Sequence, residues 1–75
     1  MARCEKLEAI LRAQYELEYA EPEDVPEQLH RLHELLDQVI AGTSLTRMEL
    51  LSNLRDRYKA YKRAQLLAEA RRRSV

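Results

Sequence analysis

Apolar residues recur at helical spacing in three stretches of the chain, and the two segments between them hold both prolines and the only glycine. In the first stretch Leu7, Ile10, Leu11, Gln14 and Leu17 share one face, Cys4 stands at its edge, and charged side chains lie opposite. Pro22 ends the stretch, because the residue before a proline is pushed out of helical angles. The pattern predicts helix 1 over about residues 3–20.

The second stretch opens on Asp24, which can cap free backbone amides while Glu27 reaches back as in a capping box. Pro26 is tolerated in the first turn, where a missing N–H is no loss. Its stripe is Val25, Leu29, Leu32, Leu36, Val39 and Ile40, with Leu35 at the margin, and Gly42 supplies a left-handed stop. Helix 2 is therefore predicted over about residues 25–41.

The third start is the clearest local signal. Thr46 and Glu49 form an S/T-x-x-E box, and Leu45 and Leu50 stand at the positions of a hydrophobic staple. Leu51, Leu54, Tyr58, Tyr61, Gln65 and Ala68 then recur in a 3-4-3-4-3 rhythm, widened by Leu50 and Ala64, which predicts helix 3 over about residues 47–72. The expected fold is all-α: a small three-helix bundle, or a helical hairpin attached to a longer third helix, in a single domain over residues 1–75. At 1.5 Å per residue the first two helices are roughly 25 Å long and the third roughly 40 Å. Part of helix 3 should thus lack a partner within the chain. Leu66 and Leu67 lie in that part and point away from the Leu54–Tyr58–Tyr61 line.

Composition changes this picture in two ways. Phe and Trp are absent and only four tyrosines are present, so the core is thin and aliphatic; a chain of this size buries about 60% of the surface its unfolded form exposes. A single cysteine rules out a disulfide within the chain and leaves a metal or association as the routes to reinforcement, in a reducing, cytoplasmic setting. No apolar run is long enough for a signal peptide or a membrane span. The zero net charge also hides a division. Residues 1–45 hold ten acids against four Lys/Arg, net −6, and residues 46–75 hold nine Lys/Arg against three acids, net +6. The acids, among them Glu5, Glu8, Glu16, Glu18, Glu34 and Asp37, can complement helix 3 within the chain or across a dimer.

Candidate chemistry is sparse. Glu27, His30, His33, Glu34 and Asp37 place ligand-type side chains on adjacent turns, but mostly on the solvated face of helix 2, and helices 1 and 3 contain no histidine. No native metal site or cofactor is expected from them. Cys4 has no activating base near it in sequence and reads as a small hydrophobe. With one glycine there is no phosphate-binding loop, and no hydrolase or metalloprotease motif occurs, so neither enzyme activity nor a small-molecule substrate is expected.

The expected function is that of a small helical protein–protein interaction module: an adaptor, regulator or chaperone-like protein that associates with itself, most simply as a dimer, or with a partner helix. The expected contact surface is Leu54, Tyr58, Tyr61, Gln65, Leu66 and Leu67, with the two tyrosines as anchors. The alternative is a nucleic-acid-binding regulator that uses Arg55, Lys59, Lys62, Arg63 and the run Arg71, Arg72, Arg73 against phosphates. Helix 2, Gly42-Thr43-Ser44 and helix 3 resemble a helix-turn-helix over about twenty residues. Gln38 stands where that motif takes a small residue, so no base-reading role is assigned.

Overall fold

The computed structural model describes the backbone of residues 2–73 and the side chains of residues 5–73. Among these residues it is all-α. Helix α1 spans Ala2–Glu18, a 3-10 turn covers Pro22–Asp24, α2 spans Val25–Ile40, α3 spans Arg47–Asn53 and α4 spans Arg55–Arg73. Cys4, read from the sequence as a small hydrophobe, lies outside the residues whose side chains are described.

The first two helices fold back on each other along the predicted stripes. Ile10, Leu11 and Ala13 of α1 meet Leu32 and Leu36 of α2, and Leu50 and Leu54 complete the buried core. Ile10 and Leu36 are wholly inaccessible to water, and burying a side chain of that kind stabilises the fold by about 1.5–3 kcal/mol. Leu7, Leu17, Leu35, Val39, Ile40 and Leu51 pack around this centre, whereas Val25 and Leu29, expected on the inner stripe, stay exposed at the start of α2. Their part of α2 has too little chain opposite it, because α1 ends at Glu18 and the connection turns immediately. Gln14, the polar member of the α1 stripe, is half-buried and hides its side-chain oxygen without a hydrogen-bond partner; Gln28 does the same.

Two helix starts differ from each other in an instructive way. Thr46 has extended angles, its hydroxyl accepts from the Glu49 N–H at 3.1 Å, and its own N–H donates to the Glu49 carboxylate at 2.9 Å, so the expected capping box is complete. Asp24 does not cap α2. It is the last residue of the 3-10 turn with helical angles (φ −92°, ψ −12°), and a side chain caps through the extended geometry that Asp24 lacks. The turn hands the chain into α2 instead, with the Asp24 N–H bonded to the Glu21 carbonyl at 2.9 Å. Glu21 itself is extended (ψ 150°), as its place before Pro22 requires. At the other end of α2, Gly42 takes φ +80°, the left-handed stop read from the sequence.

The single long third helix is not what forms. Leu54 interrupts it at φ −94°, ψ 2°, giving a seven-residue α3 and a nineteen-residue α4. The break contains neither glycine nor proline, so local propensity gave no sign of it. Tertiary packing accounts for it: α3 lies on α2, and the bend turns α4 away from α2 and onto α1. No Cα of α4 comes within 8 Å of α2. The result is a helical hairpin with a short helix capping one side and a long helix leaning on the other.

Candidate interaction surface on the fourth helix

Helix α4 buries no residue completely. Its half-covered side chains are Tyr58, Tyr61, Lys62, Gln65 and Glu69; Tyr58, Lys62, Gln65 and Glu69 recur every three or four positions, and Tyr61 widens the face they form. That face meets α1 through polar and aromatic contacts. Glu18 accepts hydrogen bonds from the Tyr58 hydroxyl and the Lys62 ammonium together. Tyr15 meets Tyr61 edge-on, with ring centroids 6.1 Å apart, and stacks obliquely on Tyr19 at 4.9 Å. The Lys62 ammonium also lies 6.0 Å from the centre of the Tyr19 ring.

Ionisation follows this geometry. Hydrogen bonds from Lys62 and Tyr58 hold the Glu18 carboxyl below the usual carboxylate range. Burial, reinforced by the Glu18 carboxylate, pushes the Tyr58 hydroxyl well above the usual phenol range. The hydrogen bond to Glu18 raises Lys62. Burial raises Tyr15, with Glu69 adding to the effect. At neutral pH the seam is therefore one carboxylate held by a neutral phenol and a cation.

The adjoining flank of α4, which begins at Lys62, is open. Lys59, Lys62, Arg63, Leu66 and Leu67 line a shallow open groove, and Leu66 and Leu67 are 43% and 53% exposed. Lys59 and Arg63 make no ion pair among the described residues.

The expected contact surface is thus divided by the fold. Leu54, 5% exposed, is core, and Tyr58, Tyr61 and Gln65 are half-buried on the side of α4 that faces α1. Only Leu66 and Leu67 remain outward. The expected nucleic-acid set is divided less severely: Arg55, Lys59, Arg63, Arg71, Arg72 and Arg73 are exposed, while Lys62 is half-buried and engaged by Glu18. The acidic–basic division of the sequence is used inside the chain. Both ion pairs that join different helices, Lys62–Glu18 and Arg47–Asp37, link an acid of the first half to a cation of the second.

On α2, His30 is exposed and pairs with Glu34 at 3.2 Å, His33 is half-buried, and the described residues contain no group of three ligand-type side chains arranged for a metal ion. Nor is any described helix long and apolar enough to cross a membrane. Tyr15 and Tyr19 are members of the seam that sequence reasoning passed over. Their i, i+4 spacing beside the leucine stripe of α1 was the available signal, since it makes a second ridge on the same helix.

No family model matches the chain, and comparison with curated proteins and with solved structures finds no significant similarity.

Proposed function

We propose that this is a helical protein–protein interaction module that uses the outer face of α4 to bind an acidic amphipathic helix of a partner, in a reducing, cytoplasmic setting. The observation that carries this reading is the pairing of two adjacent exposed leucines with the cations Lys59 and Arg63 in one groove. An amphipathic helix uses both parts of such a groove: apolar side chains cover Leu66 and Leu67, and flanking carboxylates answer the cations and set orientation and partner choice.

The test is a titration of the full chain with a labelled synthetic helix bearing leucines at helical spacing and glutamates beside them. Binding that weakens at high salt and is lost in the Leu66→Ser, Leu67→Ser double variant, with far-ultraviolet helicity unchanged, is the expected result. Equal binding by the variant sinks the reading.

The exposed cations Arg55, Lys59 and Arg63 favour one second reading, contact with the phosphates of a nucleic acid. It predicts binding to duplex DNA or RNA that falls steeply with salt and weakens when those three residues become Gln. Leu66 and Leu67 offer nothing to a phosphate backbone, which is why the protein partner is preferred.

A further inference from the structure

The bend at Leu54 is held by very little that is local. Ser52, Asn53, Leu54 and Arg55 include no helix breaker, and the helical stripe reads straight through them. The Leu54 N–H still donates to the Leu50 and Leu51 carbonyls at 3.0 and 3.2 Å, and its carbonyl still accepts from the Tyr58 N–H at 2.8 Å. Its ψ of 2° lies about 45° from the helical value. Its φ of −94° lies about 30° from the helical value, so a change in these two angles of one residue joins α3 and α4 into a continuous helix over residues 47–73 that keeps those hydrogen bonds.

Straightening would lift α4 off α1 as a unit. Apart from α3, to which it is joined, α1 is the only helix whose Cα atoms come within 8 Å of those of α4. The hydrogen bonds and ring contacts of the seam join α4 side chains to side chains at the end of α1: Tyr58 and Lys62 to Glu18, Tyr61 to Tyr15, and Lys62 to Tyr19 just past the helix. A set of contacts confined to one pair of elements re-forms unchanged when the second element comes from another copy. We infer that two chains exchange α4 reciprocally, each laying its Tyr58–Tyr61–Lys62 face on the Tyr15–Glu18–Tyr19 face of the other. The occupant is a second copy because only it supplies the same face with the same complement. The closed monomer makes the same contacts within one chain, so exchange grows with protein concentration. The exchange uses the inner side of α4 and shares only Lys62 with the outer groove.

The native seam supplies its own cross-linking pair. Glu18 and Lys62 touch, so a carbodiimide couples them by an amide bond. The full chain is prepared in light and nitrogen-15 forms, mixed in denaturant, refolded at high concentration, cross-linked and separated into monomer and dimer. In the dimer about half of the Glu18–Lys62 peptides should carry one light and one heavy arm, the share random pairing gives; in the monomer none should. A dimer whose Glu18–Lys62 peptides are all of one isotope, or a chain that stays monomeric at every concentration, overturns the inference. Two variants guard the result. Ser52→Ala with Asn53→Ala favours the continuous helix and should raise the dimer fraction several-fold. Asp56→Pro suits the first turn of α4, where Pro26 sits in α2, but interrupts a continuous helix, and should abolish the dimer. Leu66→Ser with Leu67→Ser should leave exchange intact, which separates it from binding at the outer groove.

Discussion

Arg47 grips Asp37 with two parallel hydrogen bonds, 2.9 Å from Nε and 2.8 Å from a terminal guanidinium nitrogen, fastening the first residue of α3 to the last turn of α2. The fork closes the connection of residues 41–46, which is otherwise held by Thr43: its hydroxyl donates to the Ile40 carbonyl at 2.6 Å and accepts from the Leu45 N–H at 3.1 Å. The guanidinium keeps the Asp37 carboxyl below its ordinary range. Asp37→Asn leaves at most one good acceptor for the fork. Amide hydrogen exchange in residues 43–46 should speed up, while the melting temperature changes little, since exposed pairs contribute modestly to global stability.

Removing the capping box is a larger loss. Thr46→Ala removes the hydroxyl that accepts from the Glu49 N–H, while the backbone N–H of residue 46 can still donate to the Glu49 carboxylate, and should cost about 1 kcal/mol. Chemical denaturation should show a lower midpoint at unchanged slope, and Thr46→Ser should restore most of the difference.

Stability should fall at both ends of the pH scale, for opposite reasons. Glu18 and Asp37 have folded pKa values below their ordinary 4.5 and 3.8, so what they contribute is present above those values and is lost as pH falls through the lower, folded ones. Tyr58 and Lys62 are shifted upward from 10.0 and 10.5, so their contribution is complete below those values and is lost as pH rises beyond them. Thermal unfolding across pH should show a plateau between the two limbs. Glu18→Gln should shrink the acid limb to the share of Asp37 and remove the part of the alkaline limb that Lys62 contributes, leaving the part that burial of Tyr58 causes.

Gln14 hides an oxygen with no donor beside it, and an unsatisfied buried polar atom costs about 1–3 kcal/mol. Gln14→Met keeps the length of the side chain and removes that atom. The variant should melt higher than the natural chain, by an amount at the low end of that range because Gln14 is half-buried.

Gly42 is needed for its backbone and not for space. At φ +80° a side chain strains the turn, yet a Cβ there would meet nothing within 4 Å. Gly42→Ala should cost about 1–2 kcal/mol and Gly42→Asn less, as measured by denaturation.

What the sequence disclosed depended on how far apart the causes lay. The Thr46 box, the stop at Gly42 and the inner faces of α1 and α2 are written in neighbouring residues, and each appears in the structure. The failed cap at Asp24 shows the limit of reading spacing alone, because the residues fit a box while Pro22 and Glu21 set a 3-10 turn in its place. The bend at Leu54 was out of reach. It accompanies the packing of α3 on α2 and of α4 on α1, with contacts such as Tyr58–Glu18 across forty residues, and no window on helix 3 contains that information. For the same reason the outward groove was half seen: the exposure of Leu66 and Leu67 was expected from helix length, but the withdrawal of Leu54, Tyr58 and Tyr61 from the surface needed the seam.

The placement of the aromatic residues also divides the protein optically. All four tyrosines, Tyr15, Tyr19, Tyr58 and Tyr61, take part in the contacts between α1 and α4, and the chain has no tryptophan or phenylalanine. The core between α1 and α2 is aliphatic and silent at near-ultraviolet wavelengths. Near-ultraviolet dichroism and intrinsic fluorescence therefore report on the docking of α4, while far-ultraviolet dichroism reports on the helices themselves. A solution that loses the first signal and keeps the second holds chains whose last helix has come away from α1 while the helices themselves persist.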